Sequence, residues 1–477
     1  MSDVITPPLT SFVVPYPDFA SRLANAIVYA DSSEYPAASS LKIEQRYDSD
    51  NNTSVPSVST ILVYPQMTLL TKSINTTNAT SFGDTASIDA FGRLRVSSLE
   101  ALLDSKHTLD NLPLVYDQVL GGTTSSNWVS GDSCVVLTTS AANDYGIRQS
   151  FQSFNYQPGK SQLVLCTGVF STETNITKRV GLFRSNTVAP YSTLEGFYFE
   201  NASGVLSLNI ANPSGTVSSQ TAFRYNWNVD KLDGTGPSGY NLDLTKTQIF
   251  ILDFEWLGVG RVRMGFVIDG KIIYCHYFNN ANNKVNTYLR SPNLPIRYEI
   301  RQSGAGVGRL THICSTVNSE NSAATLGQLA SVTTGTNSTT FTKNQNGVLI
   351  ATRLNTNYPA GASIGIDGIS VLTDSNVNVK YEIVINPTFS GALTYTNLSS
   401  TPLQYALGNG SVTASGGYVL YSGFVNQKVD TPIVIPTEKL RYGVKIDGTP
   451  DILAINVYIF GSNNQVIYGA INFTIAS

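Results

Sequence analysis

The run Arg261-Val-Arg-Met-Gly-Phe-Val-Ile268, followed by Asp269-Gly270 and then Lys271-Ile-Ile-Tyr-Cys-His-Tyr-Phe278, decides how this chain reads. Val262, Met264, Phe266 and Ile268 alternate with Arg261, Arg263, Gly265 and Val267. A strand turns successive side chains to opposite faces, so this period of two predicts one apolar face. Asp-Gly tolerates the positive φ of a tight hairpin turn. Lys271–Phe278 then returns as the partner strand. Asp367-Gly368 and Asp447-Gly448 suggest the same device in the last third.

Working outward, short runs of Val, Ile, Tyr, Phe and Thr recur along the chain, punctuated by Gly, Asn, Asp and Pro. Many short strands at such spacing predict an all-β protein of sandwich or jelly-roll type. Four regions are expected. Residues 1–87 form an N-terminal arm with a strand and a short helix over Asp18–Ile27, capped by Asp18. Residues 88–318 form the central, concanavalin-like β-sandwich, and Ser98–Leu103 within them adds a helical turn. Residues 319–346 are a polar linker that could equally contain an edge strand. Residues 347–477 form a second β-sandwich, with strands including Val348–Leu354, Val379–Ile385, Tyr418–Phe424, Leu440–Ile446 and Ile452–Phe460.

Composition narrows the function. The 477 residues carry 30 Lys+Arg against 33 Asp+Glu, and charged residues are only 13%. Aromatics reach 10% and the hydrophobic fraction 42%, so a core can be buried and disorder is excluded. Nucleic acid is not an expected partner, because duplex binding concentrates basic charge. No run of 18 apolar residues exists, which excludes a helical membrane span. The first twenty residues lack a basic segment followed by an apolar core, so synthesis without a leader in a reducing compartment is expected. Cys134, Cys166, Cys275 and Cys314 lie far apart with no zinc-like spacing, and they read as small core residues.

Several motifs carry competing readings. Gly234-Thr-Gly-Pro-Ser-Gly239 matches a dinucleotide fingerprint by letter, but no strand-to-helix context surrounds it and Pro237 removes an amide. An ordered surface loop is the better reading. Asp253 and Glu255, two apart on Ile249–Trp256, share a face as glycosidase carboxylates do. The competing reading pairs them with Arg261 and Arg263 on the next strand, a common cross-strand arrangement. His107, His276 and His312 show no metal spacing, and His276 points away from its neighbour Cys275, so no metal site and no cofactor are expected. Calcium held by scattered loop Asp and Asn stays open. Tyr191, Tyr198, Tyr225, Trp227 and Tyr240 cluster around the glycine-rich loop as candidates for stacking on sugar rings, with core burial as the alternative.

Asp89-Ala-Phe-Gly-Arg-Leu-Arg-Val-Ser97, Gln157-Pro-Gly-Lys-Ser161, Trp227–Gly236, Phe254–Arg263 and Pro292-Asn-Leu-Pro-Ile-Arg-Tyr-Glu-Ile300 occur in this order. Together they resemble a group of uncharacterised virion structural proteins of tailed phages and large DNA viruses, over about residues 88–318. The resemblance implies a non-enzymatic capsid-associated, spike or fibre component, made in the host cytoplasm and located in the virion. Its partners are expected to be other virion proteins, reached through Pro15, Pro17, Phe19 and Leu23 of the arm, and further copies of itself, a trimer among the options. The alternative is a particle adhesin for host-surface glycans, and the third reading is the glycoside hydrolase using Asp253 and Glu255.

Overall fold

In the computed structural model the described residues are 99–477 and three strands nearer the N-terminus, Phe12–Val13, Ile43–Asp48 and Thr53–Val58. Residues 155, 157–158, 213–218, 256, 292, 321–327, 337–338, 356–362, 375–376, 427–432, 435–440, 462–463 and 477 are outside that set. The expected helix Asp18–Ile27, the strand Ser59–Leu70 and the contacts Pro15, Pro17, Phe19 and Leu23 also lie outside the described residues. The early strands form an antiparallel sheet of their own, with Thr53–Val58 in the middle.

The deciding stretch folds as its alternation predicts. Arg261–Ile268 pairs antiparallel with Lys271–Asn279, and Asp269 (φ 51°) and Gly270 (φ 74°) make the turn. Val262, Met264 and Phe266 are fully buried. A register shift between Met264 and Gly265 bulges the hairpin opposite Tyr274–His276, and Gly265 is required there because a Cβ would strike the Ile273 carbonyl.

The hairpin is the edge of the first of two large antiparallel sheets. That sheet has eight strands, running from Lys271–Asn279 through Arg261–Ile268, Thr247–Phe254, Gln162–Val169, Gly308–Glu320 and Cys134–Thr139 to Ser125–Val129, with Leu99–Lys106 also on Gly308–Glu320. The second has seven: Gln220–Phe223, Val205–Ala211, Thr193–Ala202, Ile176–Ser185, Ile296–Gln302, Tyr145–Ser150 and Tyr116–Gly121. Between them lies one core, in which Phe197, Phe199, Phe250, Phe254, Phe266 and Tyr298 are central. This is a β-sandwich, and the chain is all-β as expected.

Two local expectations fail within it. Within the helical turn expected over Ser98–Leu103, the described residues from Leu99 on are strand instead: Leu99–Lys106 is paired from Cys314↔Lys106 to Glu320↔Leu99. Leu, Glu and Ala favour helix by only tenths of a kcal/mol per residue, about what one ladder bond overrides. Asp367-Gly368 is not a hairpin turn either. It lies inside Ser363–Thr373, where the pairing with Gln465–Ala476 shifts between Ile366 and Gly368, so it is a bulge. Asp447-Gly448 does turn, closed by the Gly448 amide on the Lys445 carbonyl at 3.0 Å.

The second sandwich packs two six-stranded sheets around Ile350, Ile366, Ile383, Ile455, Ile471 and Phe473. The stretch 319–346 is not all linker. Gln328–Thr333 and Thr339–Phe341 pair with the last strand, Gln465–Ala476. Their Thr and Ser content suits edge positions, where one face stays wet.

Candidate functional site

Asp253 closes the strand Thr247–Phe254, in which Phe250, Leu252 and Phe254 enter the core and Asp253 points away from it. Its register partner is Arg263. The Arg263 guanidinium donates to the Asp253 carboxylate, the Tyr274 hydroxyl donates to the same oxygen at 2.9 Å, and Arg263 lies over the Tyr274 ring at 4.5 Å. The cross-strand reading is therefore the observed one for Asp253. Arg261, on the partner strand, donates to the Asn279 amide oxygen at 2.9 Å and lies over Tyr277. The Glu255 amide donates to the Arg261 carbonyl at 3.3 Å, and its carbonyl accepts from the Tyr288 hydroxyl at 2.8 Å. Both carboxylates are 0% exposed. A glycosidase acid or nucleophile must touch its substrate, and neither side chain presents surface to one.

The outward face of the seven-stranded sheet is built differently. On Ile296–Gln302 the alternation sends Ile296, Tyr298 and Ile300 inward and Arg297, Glu299 and Arg301 outward. Glu299 lies beside Arg179 on one neighbouring strand and Ile147 on the other. Arg297 donates to Glu299 at 2.6 and 3.0 Å, Arg179 donates at 2.9 Å, and Arg301 also donates to it. Arg179 reaches on to Glu200 at 2.6 Å. Burial by itself pushes the Glu299 carboxyl up, but Arg297, Arg179 and Arg301 outweigh it and hold it down at about 2.

Around this buried anchor the rim stays accessible. Arg179, Arg301 and Glu200 side chains are each 20% exposed. Three half-buried tyrosines stand between them. Arg179 lies over Tyr198 at 5.5 Å, Arg301 lies over Tyr145 at 5.9 Å, and Tyr145 meets Tyr191 edge-on at 6.0 Å. The Tyr191 carbonyl accepts from Arg301 at 2.7 Å and from Arg297 at 3.3 Å. Gly121 sits opposite Tyr145 in the register, and a Cβ there would overlap the ring. The result is a surface of aromatic faces, guanidiniums and one accessible carboxylate, its charged side chains held by hydrogen bonds and its tyrosines packed against the guanidiniums and each other.

Of the aromatics singled out by sequence, this face brings together Tyr191 and Tyr198. Trp227 is a correction: it is 4% exposed, donates its indole N–H to the Ala222 carbonyl at 3.0 Å and packs on Phe266. Burying one apolar side of a short strand–loop unit needs a large ring, and Trp227 is that ring. Tyr225 is 65% exposed, stacked on Phe223 at 5.7 Å. Tyr240 donates to Asp269 at 2.9 Å, over the turn of the deciding hairpin. Sequence reading missed Tyr145, Arg179, Glu200, Glu299 and Arg301. The alternation of Arg297, Glu299 and Arg301 with Ile296, Tyr298 and Ile300 carries the signal, since period two puts all three charges on one face.

The glycine-rich loop is an ordered surface loop, as expected. The Asp230 carboxylate accepts the amides of Leu232 at 2.8 Å and Ser238 at 2.7 Å, and the Gly234 amide donates to the Tyr240 carbonyl at 2.9 Å. Cys275 is buried, while His276 accepts from the Asn228 amide at 3.2 Å and is lowered to about 4 by burial. His312 is inside the sandwich, stacked on Tyr298 at 3.7 Å and edge-on to His107 at 4.4 Å, with Arg148 donating toward His107. Burial pushes both imidazoles down, His312 furthest. Among the described residues no group of three or more His, Cys, Asp or Glu could hold a metal, and no helix is long and apolar enough to cross a membrane.

No family model matches the chain, and no curated protein matches it. Solved structures do, over about half of it. The carbohydrate recognition domain of Emp47p is 13% identical, with 47% of this chain and 97% of that chain covered and a TM-score of 0.30. A β-glucanase of Bacillus licheniformis is 9% identical, covering 47% and 98% at a TM-score of 0.29. The exoplasmic/lumenal domain of VIP36, in a Ca2+/Man3GlcNAc-bound form, is 12% identical, covering 45% and 89% at a TM-score of 0.28.

Proposed function

We propose that the central sandwich is a non-enzymatic glycan-binding module, and that it binds through the outward face of the seven-stranded sheet. One observation carries this reading: Tyr145, Tyr191 and Tyr198 stand half-buried among Arg179, Arg301 and Glu200, the two arginines held by the buried Glu299 and Glu200 held by Arg179. Sugars present apolar C–H faces and a rim of hydroxyls. Tyrosine faces stack on the former, and fixed guanidinium donors and carboxylate acceptors take the latter. Because the network already holds Arg179, Arg301 and Glu200, little of their rotamer entropy is lost on binding. A glycan array probed with the full chain tests it. Binding to a defined glycan set, lost in Tyr198→Ala and in Tyr191→Ala variants that melt normally, is expected. Absence of binding across a broad host-glycan array rejects the reading.

A second reading is a structural component of a virus particle, with the glycan-binding face as its receptor end. It is supported by the ordered motif set from Asp89 to Ile300 and by the strand Tyr418–Val425. That strand ends its sheet, carries no charge, and leaves Val419, Tyr421 and Phe424 at 54%, 42% and 68% exposure, a composition that favours contact with another chain. Mass spectrometry of purified particles decides: absence from them removes this reading, and the copy number separates a shell protein from a vertex or fibre device.

A further inference from the structure

Beside the proposed glycan face, a cleft separates the central sandwich from the segment Gly443–Ile446 of the second one. Gln149, Arg184, Ser185 and Thr187 form one wall and Lys445 the other. We propose that this cleft binds an oxyanion, a carboxylate or sulfate group.

The donors are already in place. Arg184 is 4% exposed and donates from Nη2 to Glu195, while its Nε has no hydrogen-bond partner. A buried guanidinium N–H without an acceptor is costly, so such a group marks a place where an acceptor belongs. Ser185 Oγ accepts from Arg297 at 2.8 Å, so its own O–H is left to donate. Gln149 Oε1 accepts from the same nitrogen at 3.1 Å, leaving its NH2. Lys445 is half-buried, and its charge also acts on the buried Asp451 carboxylate.

Among the described residues, no carboxylate lines the cleft. The acids nearby are committed elsewhere. Glu195 takes Arg184, with Arg290 at 4.0 Å; Asp117 accepts the Ile446 amide at 2.8 Å; and Asp451 accepts the Gly443 amide at 3.2 Å and the Asn386 side chain at 2.8 Å. Asp117 and Asp451 thereby pin the segment that carries Lys445. Two cationic donors, two neutral ones and apolar flanks from Phe151 and Pro295 suit an anionic group on a partly apolar body. Arg297 links the cleft to Tyr191, so an acidic sugar could span both, but the anion site does not depend on the glycan reading.

The test is titration calorimetry of the full chain with sodium sulfate, sodium glucuronate and glucose at constant ionic strength. Saturable binding of sulfate or glucuronate but not glucose is expected. Lys445→Gln, with an unchanged melting temperature, should weaken it about tenfold, the loss of one charge-assisted hydrogen bond. Arg184→Lys should weaken it further, and Tyr198→Ala should leave it intact. Tighter glucuronate than sulfate identifies an acidic sugar as the source; the reverse order identifies a sulfate or phosphate group. No saturable anion binding, or binding that Lys445→Gln leaves unchanged or Tyr198→Ala abolishes, overturns the proposal.

Discussion

Asp253 and Glu299 sit on opposite sheets of one sandwich, each pointing away from the core and each meeting arginine across an antiparallel pair. Their surroundings diverge. Asp253 meets the guanidinium of Arg263, which is 3% exposed, and the Tyr274 phenol; the group is sealed. Glu299 meets Arg179, Arg297 and Arg301, and two of those three remain 20% exposed. A pair with both members buried is spent on the fold. A buried carboxylate under several arginines leaves donor capacity at the rim, because each guanidinium has five N–H groups and Glu299 can accept only some of them. The difference teaches that cross-strand charge pairing produces a closed strut or an open platform, depending on whether the arginines are buried with the carboxylate.

The largest expected effect comes from Glu299→Ala. It strands Arg297 without its carboxylate in a site where that residue is 0% exposed, and should cost about 3–5 kcal/mol, read from the denaturant midpoint. A loss below that of any surface substitution would show that the platform is ornamental. Asp253→Asn should cost less, about 1.5–3 kcal/mol, since the amide keeps an oxygen for Tyr274 and Arg263. It should leave glycan binding unchanged. If Asp253→Asn combined with Glu255→Gln abolished a measurable sugar cleavage, the contrast between strut and site would collapse.

Acid should separate the platform from the core beneath it. The folded Glu299 value, about 2, lies below that of an unfolded glutamate, so its contribution is complete above about pH 4.5 and is lost as pH falls toward 2. His312 and His107 are also depressed in the folded state, by burial first and then by their cationic neighbours, so the unfolded chain binds more protons below about pH 6.5. Stability should therefore fall in two steps on acidification. His312→Phe should flatten the upper step and Glu299→Gln the lower, as followed by pH-dependent melting. A single step shared by both variants would break the assignment.

The smallest effects belong at the rim. Tyr198→Ala should change stability by about 1 kcal/mol, through lost packing on Phe183 and Arg179, while removing glycan binding. Tyr225→Ser, at a residue 65% exposed, should stay within about 0.5 kcal/mol and leave binding intact. Equal effects of the two on binding would move the site off the seven-stranded sheet.

Strand identity was legible where β-branched and aromatic residues ran between turns, with period two clearest in Arg261–Ile268 and a near-continuous apolar run in Ile452–Phe460. It was misread where composition argued against context: Leu99–Lys106 reads as helix by propensity and is a strand by pairing. Of the site, Tyr191 and Tyr198 were found by residue type. Their grouping with Tyr145 was not, because Tyr191 and Tyr198 lie about fifty residues further along the chain from Tyr145 and meet it only through sheet order. Trp227 and Tyr225, two residues apart, look equivalent in the sequence and end up one buried and one exposed.

Local periodicity and turn chemistry act over a few residues, so the sequence by itself determined that this chain is all-β, where its best hairpin turns, and that arginines on the neighbouring strand were candidate partners for Asp253. Which strands lie side by side depends on long-range pairing and on the packing of two sheets. That step alone set three arginines around Glu299, placed Tyr145 against Tyr191, and brought Lys445 across from Arg184. A side chain's type shows what it can bind; only its tertiary neighbours decide whether that capacity is used up in the fold or left at the surface.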